Sequence, residues 1–251
     1  MEEIFKTFFD FDLPGEVIMS LIVMGIILLL CVVIFILVKK ADPLKKPKGL
    51  LGIFEMAVDK VDSLVDDNMG KGFENYGGYI LTLAMFIIFC FIIGITGLPN
   101  PLTYLGVPLS LALITFVLIH ATSIKYTKWS YFKRYVDPIP AFLPVNLIGM
   151  WAPLLSMTLR LFGNAFAGMV LMSLVYGALK SFGDFIFSVG PGGSIIFAPL
   201  ITPVLHAYFD LFSGAIQTLV FMFLTMLFIA QEKPEEYKME EELSLPNSNR
   251  R

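Results

Sequence analysis

One arginine stands alone in the longest uncharged part of the sequence. Arg160 is the only charged residue between positions 140 and 179, with about twenty uncharged residues before it and nineteen after it. A guanidinium stays protonated in proteins, so it cannot reduce the cost of burial by neutralising. Placing an arginine at the centre of a membrane helix costs roughly 2.5–3.5 kcal/mol. A fixed cation at this position can hold an anion or discharge an acid, and an anionic partner is therefore expected.

A second group of polar side chains recurs at helical spacing in the last apolar stretch. His206, Asp210, Ser213 and Gln217 are separated by four, three and four residues, which places them on one face of a helix. A polar stripe in an apolar helix faces protein or water, not lipid. An imidazole and a carboxylate on that face can exchange a proton, and they can equally form a structural pair. Gln217 could also bond the backbone of a neighbouring helix.

Arg160 has a second interpretation, in which it lies in an external turn. Gly163 and Asn164 follow it closely, and Gly-Asn is a turn signal. The apolar stretch would then be two separate spans joined at the arginine. Such a turn would expose Leu161 and Phe162 and would leave almost no polar connector. A single helix that carries Arg160 at mid-membrane is therefore the prediction.

The composition predicts an all-α integral membrane protein. The chain is 57% hydrophobic and 16% charged, whereas soluble domains carry roughly 25% charged residues. Its apolar runs are long and continuous, which favours a helical bundle over a barrel of alternating segments of about 10 residues. Cys31 and Cys90 fall inside apolar runs and are expected to be small buried residues. No cofactor, metal site or nucleic-acid partner is predicted.

The apolar runs predict five membrane crossings in a cell membrane and one surface helix. Five lysines between positions 39 and 48 mark the cytoplasmic end of the first run, so the N-terminus is expected outside. The segment 49–67 is amphipathic with an acidic polar face, and it is expected either on the cytoplasmic membrane surface or docked on a partner subunit. The predicted order is an outer segment at 1–16, crossings at 17–38, 79–98, 107–123, 140–182 and 194–230, and a cytoplasmic tail at 231–251.

The last two crossings are too long to stand upright in a bilayer. A helix over 140–182 would be about 64 Å long at 1.5 Å per residue, against a hydrocarbon core of about 30 Å. It must tilt strongly, or kink at Pro144, Pro153 or Gly163. The two crossings are predicted to form a long, strongly tilted antiparallel hairpin.

The hairpin fixes which polar residues lie at the same depth. If it is centred between residues 188 and 189, Arg160 is level with Gln217 and Asp210 is level with Ala167. Asp210 then lies about 10 Å further toward the outside than Arg160, at 1.5 Å per residue.

Four further polar residues were considered for a place on an ion path. Ser173, Tyr176 and Ser213 are possible lining residues, and Ser213 is also the kind of small polar residue that packs between membrane helices. His120, near the cytoplasmic end of the third crossing, is expected to be an interfacial side chain with satisfied hydrogen bonds, not a proton carrier.

The sequence from Leu159 to Asn164, LRLFGN, followed by Ala167-Gly168, resembles the signature of subunit a of bacterial rotary F-type ATP synthases. The later run from Gln217 to Thr225, QTLVFMFLT, is similar to the last helix of that family. The resemblance covers most of the chain.

The resemblance implies a non-catalytic stator subunit that lies beside a ring of c subunits. Such a subunit provides two offset half-channels and couples proton translocation to rotation, while other subunits make or hydrolyse ATP. Arg160 matches the essential arginine of the family, Gln217 its partner across the hairpin, and Asn164 the asparagine of the motif. The implied partners are the c ring, the peripheral-stalk b subunits, the rest of the ATP synthase and the lipid bilayer.

The sequence departs from the family pattern at one position. Many bacterial members carry a carboxylate directly after Ala-Gly, where this chain has Met169. The acid is found instead at Asp210, a place where mitochondrial relatives also carry one, usually opposite a histidine. Because Met169 faces it here, the partner of Asp210 is expected to be His206, water or a neighbouring helix.

Two other classes of protein remain as alternatives. A secondary transporter could use Arg160 to bind an anionic substrate at mid-membrane, although the sequence has neither an internal repeat nor paired broken spans. A structural membrane scaffold could use Arg160 only as a folding ion pair. Co-purification with a ring of small hairpin proteins would favour the synthase interpretation.

Overall fold

The structure is a computed structural model that describes residues 14–41, 49–70, 72–128, 131, 143–187 and 201–234. All regular structure in this part of the chain is helical, with short 3₁₀ turns at Glu74–Tyr76 and Pro101–Thr103. The long helices are α1 (Gly15–Lys40), α2 (Leu50–Met69), α3 (Gly77–Ile95), α4 (Gly106–Thr127), α5 (Leu143–Phe187) and α6 (Ile201–Gln231).

The predicted all-helical class and the number of crossings are confirmed. Five helices of the described residues, all except α2, are long and apolar enough to cross a membrane. The helix predicted over 140–182 continues to Phe187, because the sequence stays apolar there apart from Asp184. The predicted starts of the last two crossings, at 140 and 194, lie outside the described residues, as does most of the predicted tail.

Helix α5 is continuous through both of its potential breaks. Its 45 residues include Pro153 in the interior, where proline removes one backbone hydrogen bond but is tolerated in membrane helices. It also runs unbroken past Gly163 and Asn164, so the interpretation that places Arg160 in an external turn is wrong. At 1.5 Å per residue the helix is about 68 Å long.

Helix α3 lies at the centre of the bundle and packs against α1, α2 and α6. It buries Ile80, Ile87 and Cys90 completely, and α6 contributes Met226 and Ile229 to the same core. Two hydrogen bonds join the α3 end of the bundle to α4: Tyr76 to Thr122 at 2.9 Å and Tyr79 to Thr115 at 2.8 Å. Helix α4 in turn packs along α5.

The first two helices are held less tightly than the core. Helix α1 buries only Ser20, Val23 and Ile27, and Cys31, which was predicted to be buried, is exposed on it. The prediction was wrong because an apolar helix in a membrane protein is as readily presented to lipid as to protein. Helix α2 buries Val61, Val65 and Met69 on one face; its place on the membrane surface stays a prediction.

Candidate functional site

Two side-chain hydrogen bonds connect α5 to α6. Ser213 Oγ donates to Asn164 Oδ1 at 2.9 Å, and Tyr176 Oη lies 3.1 Å from His206 Nε2. The partner on α6 moves backward along the chain as the partner on α5 moves forward, which is the order of contacts that the predicted hairpin requires.

The Asn164–Ser213 bond fits the predicted register of the two helices. Arg160 is four residues before Asn164 on α5, and Gln217 is four residues after Ser213 on α6. Arg160 and Gln217 therefore belong to the same level, one helical turn away from an observed contact.

Arg160 is presented outward. Its side chain is exposed, whereas the neighbouring Met157 and Leu161 are almost fully buried against the bundle. Within the described residues Arg160 makes no hydrogen bond or ion pair. It is energetically costly for a permanent cation on a membrane helix to face lipid. This face of α5 is therefore expected to contact a partner molecule.

Gln217 lies on α6 at the same level as Arg160 on α5, and it is buried. Its side chain is only 7% exposed, and its Nε2 has no hydrogen-bond partner in the described structure. A buried amide donor without a partner costs about 1–3 kcal/mol, and such groups in a native protein call for an explanation. The isolated chain therefore leaves both members of the predicted pair, Arg160 and Gln217, incompletely satisfied.

The acid on α6 has a partner on its own helix. His206 Nδ1 lies 2.5 Å from Asp210 Oδ2, and His206 Nε2 faces Tyr176 on α5, so the three side chains form a continuous hydrogen-bonded chain. Of the three partners considered for Asp210, the structure selects His206. Asp210 lies within a π-helix, Ala207–Phe212, that directly follows His206; this conformation is frequent at functional sites.

This chain of side chains lines a cavity of about 390 Å³. We call it the outer cavity because it lies at the N-terminal end of α1, which is predicted to be outside. Ser173 and Tyr176 line this cavity, whereas Ser213 contacts Asn164; their place on an ion path stays a prediction. The sequence did not indicate that the start of α1 and the turn after α3 also reach the cavity. Its polar lining residues are Glu16, Asn100, Thr103, Ser173, Tyr176, His206 and Asp210.

An inner cavity of about 700 Å³ lies toward the opposite end of the helices. It is enclosed by the C-terminal part of α4, the N-terminal part of α5 and the C-terminal end of α6. His120 lines it, with its ring 4.1 Å from that of Phe116; its interfacial role stays a prediction. The other polar lining residues are Asn146, Ser156, Gln231 and Glu232.

Sequence reasoning missed the inner cavity, although one signal was available. Ser156 precedes Arg160 by one helical turn and so lies on the same side of α5. The contributions from α4 and α6 come from residues far apart in the sequence, and only packing brings them together.

Arg160 lies between the two cavities. Along α5 the inner cavity extends as far as Ser156 and the outer cavity begins at Ala165. Arg160 lines neither of them. The two cavities are thus separated along α5 by the segment that carries the cation.

A family model described as ATP synthase A chain matches residues 17–230. The chain belongs to the ATP synthase A chain family. Membership gives the chain the role of the stator subunit a of an F-type ATP synthase, in the membrane sector, and does not favour the secondary-transporter alternative.

Curated members of the ATP synthase A chain family are similar over most of their length. ATP synthase subunit a of Mycoplasma genitalium is 33% identical over 229 residues, which cover 84% of this chain and 77% of that one. The protein of Oceanobacillus iheyensis is 31% identical over 245 residues, or 90% and 95% of the two chains. A third relative, ATP synthase subunit a, sodium ion specific, from Propionigenium modestum, is 31% identical over 201 residues, or 73% and 63%.

Proposed function

We propose that this chain forms two proton half-channels against a ring of c subunits and keeps them apart with Arg160. The single observation that carries the proposal is the position of Arg160, which is exposed, without a partner among the described residues, and located between the two cavities. A cation so placed is suited to meet an acid on another polypeptide.

Arg160 acts on a carboxylate of the ring. A permanent cation nearby favours the ionised form of a carboxylate, so a protonated ring site that reaches Arg160 releases its proton. The same positive charge repels a proton that would pass directly from one cavity to the other. The membrane field drives the movement, with about 2.3 kcal/mol per charge for each 100 mV.

The outer cavity is the half-channel on the side of the N-terminus. Tyr176, His206 and Asp210 form the hydrogen-bonded chain along which a proton approaches the ring. A His–carboxylate pair holds and releases protons, which is the reason to propose the proton as the transported ion. The N-terminus is then outside and the C-terminus cytoplasmic, as Lys39 and Lys40 at the end of α1 indicate.

The inner cavity is the half-channel on the cytoplasmic side. Its lining by His120, Asn146, Ser156 and Glu232 supplies polar groups from three helices. Ser156 is the member nearest to Arg160 in sequence and marks the inner approach to the ring.

Gln217 completes the site when the ring is in place. Its orphaned Nε2 offers a hydrogen bond at the level of Arg160, and its burial fixes the amide in position. Asn164 holds the two helices in register through Ser213. These contacts support the long tilted hairpin, since a continuous helix of about 68 Å exceeds an upright span of about 30 Å.

The other partners follow from the exposed parts of the chain. Helix α1 leaves most of its surface open to lipid or to the peripheral-stalk b subunits. The acidic face of α2 is directed either to the cytoplasmic membrane surface or to another subunit. The chain itself makes and breaks no covalent bond in this mechanism, and ATP is made or hydrolysed elsewhere in the complex.

The test is Arg160→Ala in the whole complex. We expect ATP-driven proton pumping to be abolished while the complex still assembles, because the Arg160 side chain is exposed and makes no hydrogen bond or ion pair within the described chain. Pumping is measured by dye quenching in inside-out vesicles, and assembly by the subunit composition of the purified complex. Lys180→Ala, an exposed cation further along α5, is the matched control and should pump normally. Pumping by the Arg160 variant near the native rate would overturn the proposal.

A further inference from the structure

The start of α1 brings a carboxylate into the outer cavity. Glu16 lies in the first turn of α1 and is half-buried. It lines the same cavity as Tyr176, His206 and Asp210, which come from α5 and α6. The residue is more than 180 positions away from His206 and Asp210 in the sequence, so nothing in the local pattern connects them.

The turn that follows α3 lies beside Glu16. Helix α1 packs against this turn, at Pro101–Thr103. Asn100 and Thr103 line the cavity together with Glu16. The carboxylate therefore lies at the cavity wall.

Among the described residues, Glu16 differs from the other ionisable groups of the cavity in having no partner. His206 is bonded to both Asp210 and Tyr176, whereas Glu16 makes no hydrogen bond or ion pair with any residue that the structure describes. A volume of about 390 Å³ holds several waters, since each occupies about 30 Å³ in the liquid.

We propose, on the basis of the proton path proposed above, that Glu16 is the outermost proton acceptor of the outer half-channel. Its carboxylate takes a proton from a hydronium ion of the outer solution, which is left as water, and becomes a neutral carboxyl group. It then returns that proton to a cavity water, and a proton from the same water chain reaches the His206–Asp210 pair. Glu16 is thereby restored as a carboxylate for the next proton.

The charges that face Glu16 suit this role. The described cavity lining has two carboxylates, Glu16 and Asp210, together with the imidazole of His206 and the phenol of Tyr176; Asn100 and Thr103 are neutral. No lysine or arginine is among them. A cleft lined by one sign of charge raises the local concentration of the opposite ion and its rate of arrival.

The test is Glu16→Gln in the complete complex, reconstituted into liposomes with the catalytic head outside. In that orientation the outer half-channel opens to the lumen, and ATP synthesis draws protons from it. Synthesis is driven by a potassium diffusion potential adjusted to hold the total driving force constant while the lumenal pH is varied. We expect the variant to be slower by about tenfold at alkaline lumenal pH and to approach the native rate at acidic pH, where bulk protons no longer limit arrival.

Two further variants separate a proton-accepting role from a structural one. Glu16→Asp keeps the carboxylate and should recover most of the native pH profile. Glu55→Gln, in a cavity between α1 and α2, should match the native protein at every pH. A Glu16→Gln rate that is native at all lumenal pH values, or that is lowered by the same factor at all of them, would overturn the proposal.

Failure here is distinguishable from failure of the proposed function. If Arg160→Ala abolishes pumping while Glu16→Gln shows no dependence on lumenal pH, the separation of half-channels stands and Glu16 has no part in it. If Arg160→Ala pumps at the native rate, the two-channel mechanism itself is overturned. The role proposed for Glu16 depends on that mechanism and is then overturned as well.

Discussion

At the scale of single residues, the side chains proposed to carry protons differ from the other lining side chains in their hydrogen bonds. His206 and Asp210 are bonded to each other beside open volume. Ser173 also lines the outer cavity, but its Oγ donates to the carbonyl of Val170 at 2.8 Å. A residue that lines the cavity does not necessarily take part in proton movement. The hydroxyl hydrogen of Ser173, for example, is already donated to a backbone carbonyl.

This difference gives a matched pair of variants. Asp210→Asn should slow coupled ATP synthesis by about tenfold or more, since it removes a group that accepts a proton, and should change the dependence of the rate on outer pH. Ser173→Ala should leave both unchanged. The measurement is the rate of synthesis in proteoliposomes as a function of lumenal pH. If the rate of synthesis by Asp210→Asn depends on lumenal pH as in the native protein, Asp210 is not on the proton path.

At the scale of helices, one close approach fixes the position of the α6 segment that carries the site. A methyl group added at Gly214 would lie 2.5 Å from the ring of Phe91 on α3, a distance at which one helix must move. Gly214 directly follows Ser213, the residue that bonds Asn164. The contact between α3 and α6 therefore controls the register between α6 and α5.

Gly214→Ala should destabilise the protein for this reason. Overpacking of a filled core costs about 1–3 kcal/mol, and the shift of α6 should also weaken proton pumping. Thermal stability of the purified complex in detergent measures the first effect. Gly25→Ala on α1, where an added methyl group meets nothing within 4 Å, should show no loss. Combining Gly214→Ala with Phe91→Leu should restore part of the stability, and an equally stable single variant would contradict the packing argument.

The helices could be predicted from the sequence, whereas the choice of which helices are neighbours could not. Apolar runs predicted five crossings because burial in lipid demands about 20 apolar residues per span. The contact between Asn164 and Ser213 matches a register deduced from the centre of the turn alone. The cavities, the approach of Glu16 to Asp210 and the exposure of Cys31 depend on which helices are neighbours, and periodicity within one segment carries no such information.

At the scale of the whole molecule, the face of α5 around Arg160 is the incomplete part of the protein. Leu159, next to the arginine, is 58% exposed, whereas Met157 is 1% exposed. The exposed side is the one proposed to meet the ring. We therefore expect the chain alone to be half of a site, the other half of which the proposed ring supplies.

A photo-crosslinking amino acid distinguishes the two sides of this helix. Benzoylphenylalanine in place of Leu159 should give a product with the combined mass of this chain and one c subunit after irradiation of the intact complex. The same substitution at Met157 points into the bundle and should give none. Mass spectrometry of the products identifies the partner, and a Leu159 variant that crosslinks only to lipid would argue against a ring at this face.

The π-helical turn at Ala207–Phe212 sets the rotation of the first part of α6 relative to the part that follows the turn. Each residue of an α-helix advances the side chains by about 100°, so one residue more or less in this turn rotates everything before it relative to everything after it. Removal of a single residue there, with Gln217 kept in its buried position, would rotate His206 out of the outer cavity. The number of residues between His206 and Gln217 thus fixes the angle between their side chains around the helix as well as the distance between them. Insertions or deletions between them should therefore be far more damaging than substitutions.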